Sequence, residues 1–197
     1  MAQGSPSSAQ LKRLLAGMLL LTLGQLLLAQ GPEFVTALRP LDWSHWLLLL
    51  GAMTLTWRLT DIPVGQWGRL GRVVTVAGAA AFVGMCVIDF IFWTLPSDTA
   101  RQAFASQVLR SPAISLPFLT AGPSLLFVGL GILVVEWAAL MRWRTAVVLG
   151  GIAVVGFGQF SNARWLVVAG HVTILVGFCA MWLLTRTARS HSMRTFA

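Results

Sequence analysis

Residues 73–95 read VVTVAGAAAFVGMCVIDFIFWTL and contain one charged side chain, Asp89. As an α-helix, this stretch of 23 residues would be ~34 Å long, and the hydrocarbon core of a bilayer is ~30 Å thick. A soluble helix of this length has a polar face, which this stretch lacks. The sequence therefore predicts a transmembrane helix with a carboxyl group inside it. Because an intramembrane acid is costly to bury, it usually faces protein or water, and Asp89 is the first candidate functional residue.

The composition of the whole chain indicates the same class of protein. Of its 197 residues, 57% are hydrophobic and only 10% are charged, and the mean hydropathy is +0.79. We expect one all-α domain over residues 1–197, a polytopic integral membrane helical bundle. The net charge of +8 comes from basic residues between the apolar runs. That pattern favours contacts with lipid headgroups over nucleic acid.

Six apolar stretches predict six transmembrane helices. A disordered, basic N-terminus, 1–13, precedes them, and a basic cytoplasmic tail, 186–197, follows them. The predicted helices cover residues 14–29, 43–59, 73–95, 123–141, 145–160 and 165–185.

The first of these stretches has two interpretations. Lys12 and Arg13 precede an apolar run of 16 residues, Leu14–Ala29. A cleaved signal peptide would have this pattern and would leave five helices. We favour a retained helix, because the apolar region of a signal peptide is usually only ~7–15 residues long.

The connection between the third and fourth stretches is the longest. Ser97 or Asp98 can cap a short amphipathic helix that extends to Arg110 and lies in the membrane interface. Pro123 predicts the start of the fourth helix, because proline is favoured at the first helical position.

Six spans place alternate loops on opposite sides of the membrane. One side receives ten basic residues and the other receives four. The positive-inside rule then predicts cytoplasmic N- and C-termini in a plasma membrane, such as a bacterial inner membrane. The nine tryptophans lie near the predicted helix ends, as in interfacial aromatic belts. The four basic residues on the outer side are Arg39, Arg101, Arg110 and Arg164.

Polar side chains concentrate in the outer half of the predicted bundle. Asp89 and His171 each lie six residues inside the outer end of their helices, a depth of ~9 Å. Either Asp89 forms a structural hydrogen bond with His171 or Gln159, or Asp89 and His171 form a pocket that accepts a proton or a cation. The outer polar layer consists of Gln25, His45, Asp89, Gln159, Asn162 and His171.

Two further hypotheses concern single sites. A haem between His45 and His171 is the one cofactor that the sequence suggests, and no metal site is expected. Glu136 lies near the cytoplasmic end of its predicted helix, so we expect a structural, arginine-paired residue there. The arginines within reach are Arg58, Arg72, Arg142 and Arg144.

Three classes of function remain. The sequence contains no common catalytic or nucleotide-binding motif, and Cys86 and Cys179 lack metal-ligand spacing. We favour a non-enzymatic subunit or accessory protein, with the bilayer and a membrane protein as partners. The first alternative is a small proton-coupled transporter or binding protein that uses the outer polar layer, although the two halves of the chain show no sequence repeat. The second alternative is a membrane redox enzyme that acts on a lipid or a quinone.

Overall fold

The computed structural model describes residues 6–37, 41–57, 59–62 and 64–194. The described residues are 88% helical and contain no strand, which confirms the all-α prediction. The elements are α1 (Ser8–Ala29), α2 (Pro32–Ala37), α3 (Trp43–Thr56), a 3₁₀ turn (Leu59–Asp61), α4 (Gln66–Thr94), α5 (Asp98–Leu109), α6 (Pro112–Ile114), a π-helix (Ser115–Thr120), α7 (Gly122–Val135), α8 (Ala138–Phe160) and α9 (Arg164–Arg194).

Four helices are long and apolar enough to cross a membrane: α1, α4, α8 and the part of α9 from Arg164 to Thr187. A fifth span results if Pro112–Thr120 and Gly122–Val135, which meet at an angle of 41°, count as one. The remaining predicted span, residues 43–59, corresponds to α3, which has only 14 residues and is therefore ~21 Å long. The described residues thus contain four or five helices of membrane-spanning length and composition.

The six longest helices form a closed ring. In chain order α1, α3, α4, α7, α8 and α9 each pack against the next, and α9 packs against α1. The ring consists of three antiparallel hairpins, α1–α3, α4–α7 and α8–α9. One end of the ring, the terminal end, contains Ser8 at the start of α1 and Trp182 of α9. There Nε1 of the indole donates a hydrogen bond of 3.0 Å to the Ser8 hydroxyl. Its cavity end holds the C-terminal ends of α1, α4 and α8.

Each of the three hairpins contains the same kind of close contact between the backbones of its two helices. In each hairpin, a glycine of the first helix lies against the second helix, and a Cβ there would lie 2.5–2.8 Å from a backbone nitrogen. Only glycine permits this approach, which is typical of packed membrane helices. The glycines and the residues that they face are Gly17 with Leu55, Gly71 with Leu133, and Gly151 with Ile174.

The second helix of each hairpin returns the contact through its own glycine. A Cβ on that glycine would lie 2.2–2.8 Å from a backbone nitrogen of the first helix. These pairs are Gly51 with Leu21, Gly129 with Thr75, and Gly170 with Val155. In all three hairpins the residue faced lies four positions after the partner glycine. The three hairpins therefore repeat the same glycine packing register.

Apolar side chains fill the inside of the ring. Phe82, Leu126 and Phe178 are fully buried members of one continuous core. Trp137 also belongs to this core and is 1% exposed. The expectation that every tryptophan lies in an interfacial belt is therefore wrong for Trp137, which fills space where α7 ends.

The N-terminal boundary differs from the prediction. Helix α1 begins at Ser8, because Ser7 and Gln10 form a capping box that supplies the missing hydrogen bonds of the first turn. Residues 8–13 are therefore helical and not disordered. The predicted disorder of residues 1–5 lies outside the described residues.

The later boundaries differ in two places. The predicted turn at residues 142–144 is helical, and the break lies at Glu136 and Trp137, with a second kink at Met141 (φ −136°, ψ 44°). The predicted tail is helical as far as Arg194, and residues 195–197 lie outside the described part.

Two sequence signals are confirmed in the same region of the chain. Ser97 caps α5 through the backbone nitrogen of Ala100, and Pro123 lies in the first turn of α7.

Candidate functional site

The imidazole of His45 is fixed by the residue that precedes α3. Oδ1 of Asp42 accepts hydrogen bonds from the backbone nitrogen of His45 at 3.2 Å and from the Ser44 hydroxyl at 2.6 Å. Oδ2 of Asp42 lies 2.5 Å from Nδ1 of the His45 ring. Aspartate is a favoured N-cap residue, and here the same carboxylate caps the helix and orients the histidine.

The other ring nitrogen of His45 faces α4. Nε2 lies 3.0 Å from Oδ2 of Asp89, and the two side chains are 10% and 33% exposed. An ionised carboxylate can only accept hydrogen bonds. Both contacts therefore require the doubly protonated imidazolium, or a proton on one of the carboxyl groups. These contacts form a hydrogen-bonded series of three side chains, in which one titratable proton lies between two acids: Asp42, His45 and Asp89.

Asp42 lies outside the membrane-length helices, and its environment favours the charged form. Burial disfavours the carboxylate, but the hydrogen bonds from His45 and Ser44 outweigh that effect. The pKa of the Asp42 carboxyl consequently lies below its ordinary value of 3.8. Asp42 is thus a carboxylate at neutral pH and keeps a negative charge behind His45.

Aromatic contacts surround this chain of polar groups. The ring of Phe90, next to Asp89 in α4, lies 5.2 Å from that of Trp46 and 6.4 Å edge-on from that of His45. Such contacts add stability beyond simple burial. They join the first hairpin to the second at the α3–α4 seam, where the polar chain also crosses.

His45 and Asp89 form part of the wall of a cavity of about 320 Å³. Gln25 of α1 and Arg164 of α9 contribute its other polar side chains, and apolar and aromatic residues line the rest. The volume lies at the lower end of the range of ~300–1,000 Å³ that is common for small-molecule sites. The cavity end of the ring thus contains a pocket that combines a proton-holding pair, a cation and an amide.

A second cavity of about 430 Å³ lies beside the first. Gln159 and Asn162 contribute to its wall, and Asn162 adopts a positive φ of 54° in the turn between α8 and α9. Arg164 and Val167 line both cavities. The structure therefore places five of the six members of the predicted polar layer in the walls of two neighbouring cavities.

His171 lies in neither cavity, and its pairing with Asp89 was predicted wrongly. Its side chain is fully buried, Nδ1 donates to the Val167 carbonyl at 2.8 Å, and the ring packs edge-on against Phe127 at 5.2 Å. Its Nε2 has no hydrogen-bond partner among the described residues. Gln159, the other predicted partner of Asp89, lines the second cavity, and Asp89 pairs with His45 instead. Equal depth in two helices did not imply contact, because the ring order puts α3 beside α4.

Glu136 has a structural role, and its hydrogen-bond partners among the described residues are backbone amides and not arginines; Arg58, one of the predicted partners, lies outside the described residues. Its Oε1 accepts a hydrogen bond of 2.7 Å from the backbone nitrogen of Gly68, and its Oε2 accepts one of 3.3 Å from that of Gly65. These amides belong to the start of α4, which has no side-chain cap of its own. The positive end of the helix dipole favours a carboxylate at this position. Glu136 therefore caps α4 from the end of α7.

The geometry bears on the haem hypothesis. Carboxylates occupy both ring nitrogens of His45, so an iron ligand at this residue would displace one of them. The carboxylates of Asp42 and Asp89 approach opposite sides of the ring and do not converge on one point. No group of three His, Cys, Asp or Glu side chains in the described residues is arranged to hold a metal ion.

Two members of the site were not singled out from the sequence. Asp42 was assigned to a loop, although an aspartate three residues before a histidine at a helix start is a recognisable N-cap pattern. Arg164 was counted only as a topology signal. The α9–α1 contact brings it to the cavity that Gln25 lines, and that contact is long-range.

The fold and the site together define a helical protein with membrane-length helices and a polar cavity at one end of its ring. Comparison of the chain with protein-family models, with curated proteins and with solved structures finds no match in any of the three.

Proposed function

We propose that this protein is a non-enzymatic, six-span membrane protein that binds a small ligand in the 320 Å³ cavity and couples binding to a proton. The observation that carries the proposal is the position of His45 between Asp42 and Asp89 in the cavity wall. A histidine between two acids changes its hydrogen bonds when it gains or loses a proton. Asp89 is partly open to the cavity, so a ligand can sense that change.

The proposed topology has six spans and cytoplasmic termini in a plasma membrane, such as a bacterial inner membrane. It is supported by the excess of basic residues at the terminal end and by three hairpins of the same orientation. In this topology α3 is a short span with its start near the membrane surface, and the bilayer adapts to it by local thinning. The cavity then opens on the extracytoplasmic side.

Ligand-dependent stability of the purified protein tests the proposed function. Thermal unfolding in detergent is measured with a panel of small anions, cations and neutral polar compounds between pH 5 and pH 9. We expect at least one compound to raise the midpoint, by an amount that varies with pH in the wild-type protein. Asp89→Asn should remove the pH dependence, because it keeps the shape of the side chain and loses its charge.

The matched control is Gln159→Ala, which alters only the neighbouring cavity. It should leave both the ligand effect and its pH dependence intact. If no compound in the panel shifts the midpoint, or if Asp89→Asn behaves as the wild type does, the proposal is wrong. Solute counterflow in proteoliposomes then separates a transporter from a binding protein.

One observation favours an accessory subunit as the second candidate. His45 forms a hydrogen bond with Asp89 without any ligand. The pair can therefore have a purely structural role, which is to fix α3 against α4. In that case the protein acts through a membrane partner. A pull-down of the full chain from native membranes should then recover one stoichiometric membrane protein, and Asp89→Asn should weaken recovery only as far as it lowers stability.

A further inference from the structure

The first cavity contains a cation that no acid neutralises. Arg164 is exposed, and within the described residues its guanidinium has no hydrogen bond or ion pair. Arg101, at the same end of the ring, differs in this respect, because it pairs with Asp98 and donates to the Leu95 carbonyl. Arginine is the side chain best suited to bind a carboxylate or a phosphate, through two parallel hydrogen bonds.

A second polar group in the same cavity also lacks a partner. Gln25 is half-buried in α1, and its amide makes no hydrogen bond with any described residue. A primary amide has two donor hydrogens, which suit an anion. The carboxylate of Asp89 opposes an anion less than an unpaired acid would, because it shares a proton with His45 across a contact of 3.0 Å. Asp42 contributes the other negative charge, but it lies behind His45 and does not line the cavity.

The remaining wall limits the rest of the ligand. It is mainly apolar and includes Leu28, Val35 and Phe92. The cavity volume of 320 Å³ equals about ten water molecules, so a ligand of roughly ten non-hydrogen atoms would fill it. A strongly polar molecule would leave its own polar groups without hydrogen-bond partners against this apolar wall.

We infer that the cavity binds a small organic anion, an acidic group on a short apolar body, with Arg164 and Gln25 holding the acid. This inference rests on the proposed ligand-binding function and assigns its ligand class. The same chemistry could come from a free carboxylic acid or from the phosphate of a lipid headgroup that reaches the cavity end.

A pair of probes of equal shape tests the charge requirement. Phenylacetate and phenylacetamide differ by the acid alone and have about the expected size, and inorganic phosphate represents the acid group without an apolar body. Affinity is measured by thermal unfolding of the full chain in detergent. We expect phenylacetate to stabilise the protein, and phenylacetamide and inorganic phosphate to bind at least about tenfold more weakly.

Substitutions identify the anion-binding residue. Arg164→Gln should weaken phenylacetate binding by roughly 10- to 100-fold, since a hydrogen bond to a charged group contributes about that much. Arg164→Lys should lose less, because it keeps the charge. Arg110→Gln is the matched control and should bind as the wild type does. Arg110 is an exposed arginine at the same end, and among the described residues it bonds only to Ser106.

Reconstitution separates the two sources of the anion. Vesicles of phosphatidylcholine are compared with vesicles that also contain phosphatidylglycerol. If phosphatidylglycerol stabilises the wild type more than it stabilises Arg164→Gln, and phenylacetate stabilises neither protein, the anion is a lipid headgroup. If neither anion binds, or if phenylacetamide binds as well as phenylacetate, the inference is overturned.

The outcome also distinguishes this inference from the function on which it rests. If only cations or neutral compounds stabilise the protein, and Asp89→Asn abolishes that effect, the proposed function is supported and the inferred anionic ligand is contradicted. If anion binding needs Arg164 but is independent of pH and of Asp89, the anionic ligand is supported and the proposed proton coupling is contradicted.

Discussion

At the scale of the residue, the contact between His45 and Asp89 decides how the site is built. Each side chain satisfies the other across the α3–α4 seam, at 3.0 Å and with limited exposure. Removal of one partner leaves the other polar and unpaired, which is costlier than removal of both.

The first prediction is therefore a coupling energy. His45→Gln and Asp89→Asn should each destabilise the protein in detergent, by about 1–3 kcal/mol. The double variant should be less unstable than the sum of the two. Equilibrium or thermal unfolding of the four proteins measures the coupling.

The matched cycle uses the histidine that does not contact Asp89. His171→Ala should be additive with Asp89→Asn, because His171 bonds to the Val167 carbonyl and packs against Phe127. Additive behaviour of His45 with Asp89, or coupling of His171 with Asp89, would contradict the arrangement described above.

The second prediction concerns acid stability at Asp42. The pKa of this carboxyl is lowered in the folded state, so its contribution to stability is fully present above the unfolded value of about 3.9. The contribution disappears as the pH falls through the lower, folded value. Asp42→Asn should therefore be less stable than the wild type near pH 7, and the difference should shrink below pH 4. Unfolding midpoints between pH 2.5 and pH 7 measure this, and a constant difference over that range would show that the charge of Asp42 is irrelevant.

At the scale of the element, glycines set the distance between paired helices. Helix α8 offers two neighbouring comparisons. A Cβ on Gly151 or Gly158 would lie 2.8 or 2.7 Å from a backbone nitrogen of α9, whereas nothing lies within 4 Å of a Cβ on Gly150 or Gly156.

The third prediction follows from this contrast. Gly151→Ala and Gly158→Ala should each lower stability by about 1–3 kcal/mol, because the rigid backbone of α9 must move away. Gly150→Ala and Gly156→Ala should leave stability unchanged or raise it, since alanine favours a helix. The free energy of unfolding in detergent is compared within each pair, and equal losses at all four positions would refute the packing register.

The fourth prediction concerns the cap of α4. Glu136→Ala should cost about 1–2 kcal/mol, because two backbone amides at the start of the helix lose their acceptor. Glu136→Gln should cost less, since an amide oxygen still accepts. Glu33→Ala, an exposed acid in α2, serves as the control and should have no effect. Helical content by circular dichroism and the unfolding midpoint report the change, and a midpoint unaffected by Glu136→Ala would contradict the cap.

At the scale of the whole molecule, three hairpins close a ring and bring distant segments to one cavity. Gln25 in the first helix and Arg164 in the last line one cavity because α9 packs against α1. The hairpins share a glycine register, yet their paired glycines are 34, 58 and 19 residues apart. Loops of such different lengths hide the repeat from a comparison of sequences.

The fifth prediction is the proposed orientation of this ring. Reporter fusions after Arg69 and after Arg142 should read as cytoplasmic, and fusions after Arg101 should read as external. The opposite pattern would move the cavity to the cytoplasmic side.

The sequence by itself determined the helical class, the long apolar helices and several helix starts. These are local properties: hydrophobic length, a serine cap before α5 and a proline in the first turn of α7 depend on neighbouring residues only. The sequence also predicted that Asp89 and His45 belong to one polar layer, because depth along a helix follows from residue count.

Only the tertiary structure decided which of those residues meet. Asp89 contacts His45 and not His171, and Glu136 caps a helix and pairs with no arginine of the described residues. Both outcomes depend on the order of helices around the ring and on their rotation. That order is set by long-range packing of glycine faces, and no periodicity within a single helix records which neighbour its face will meet.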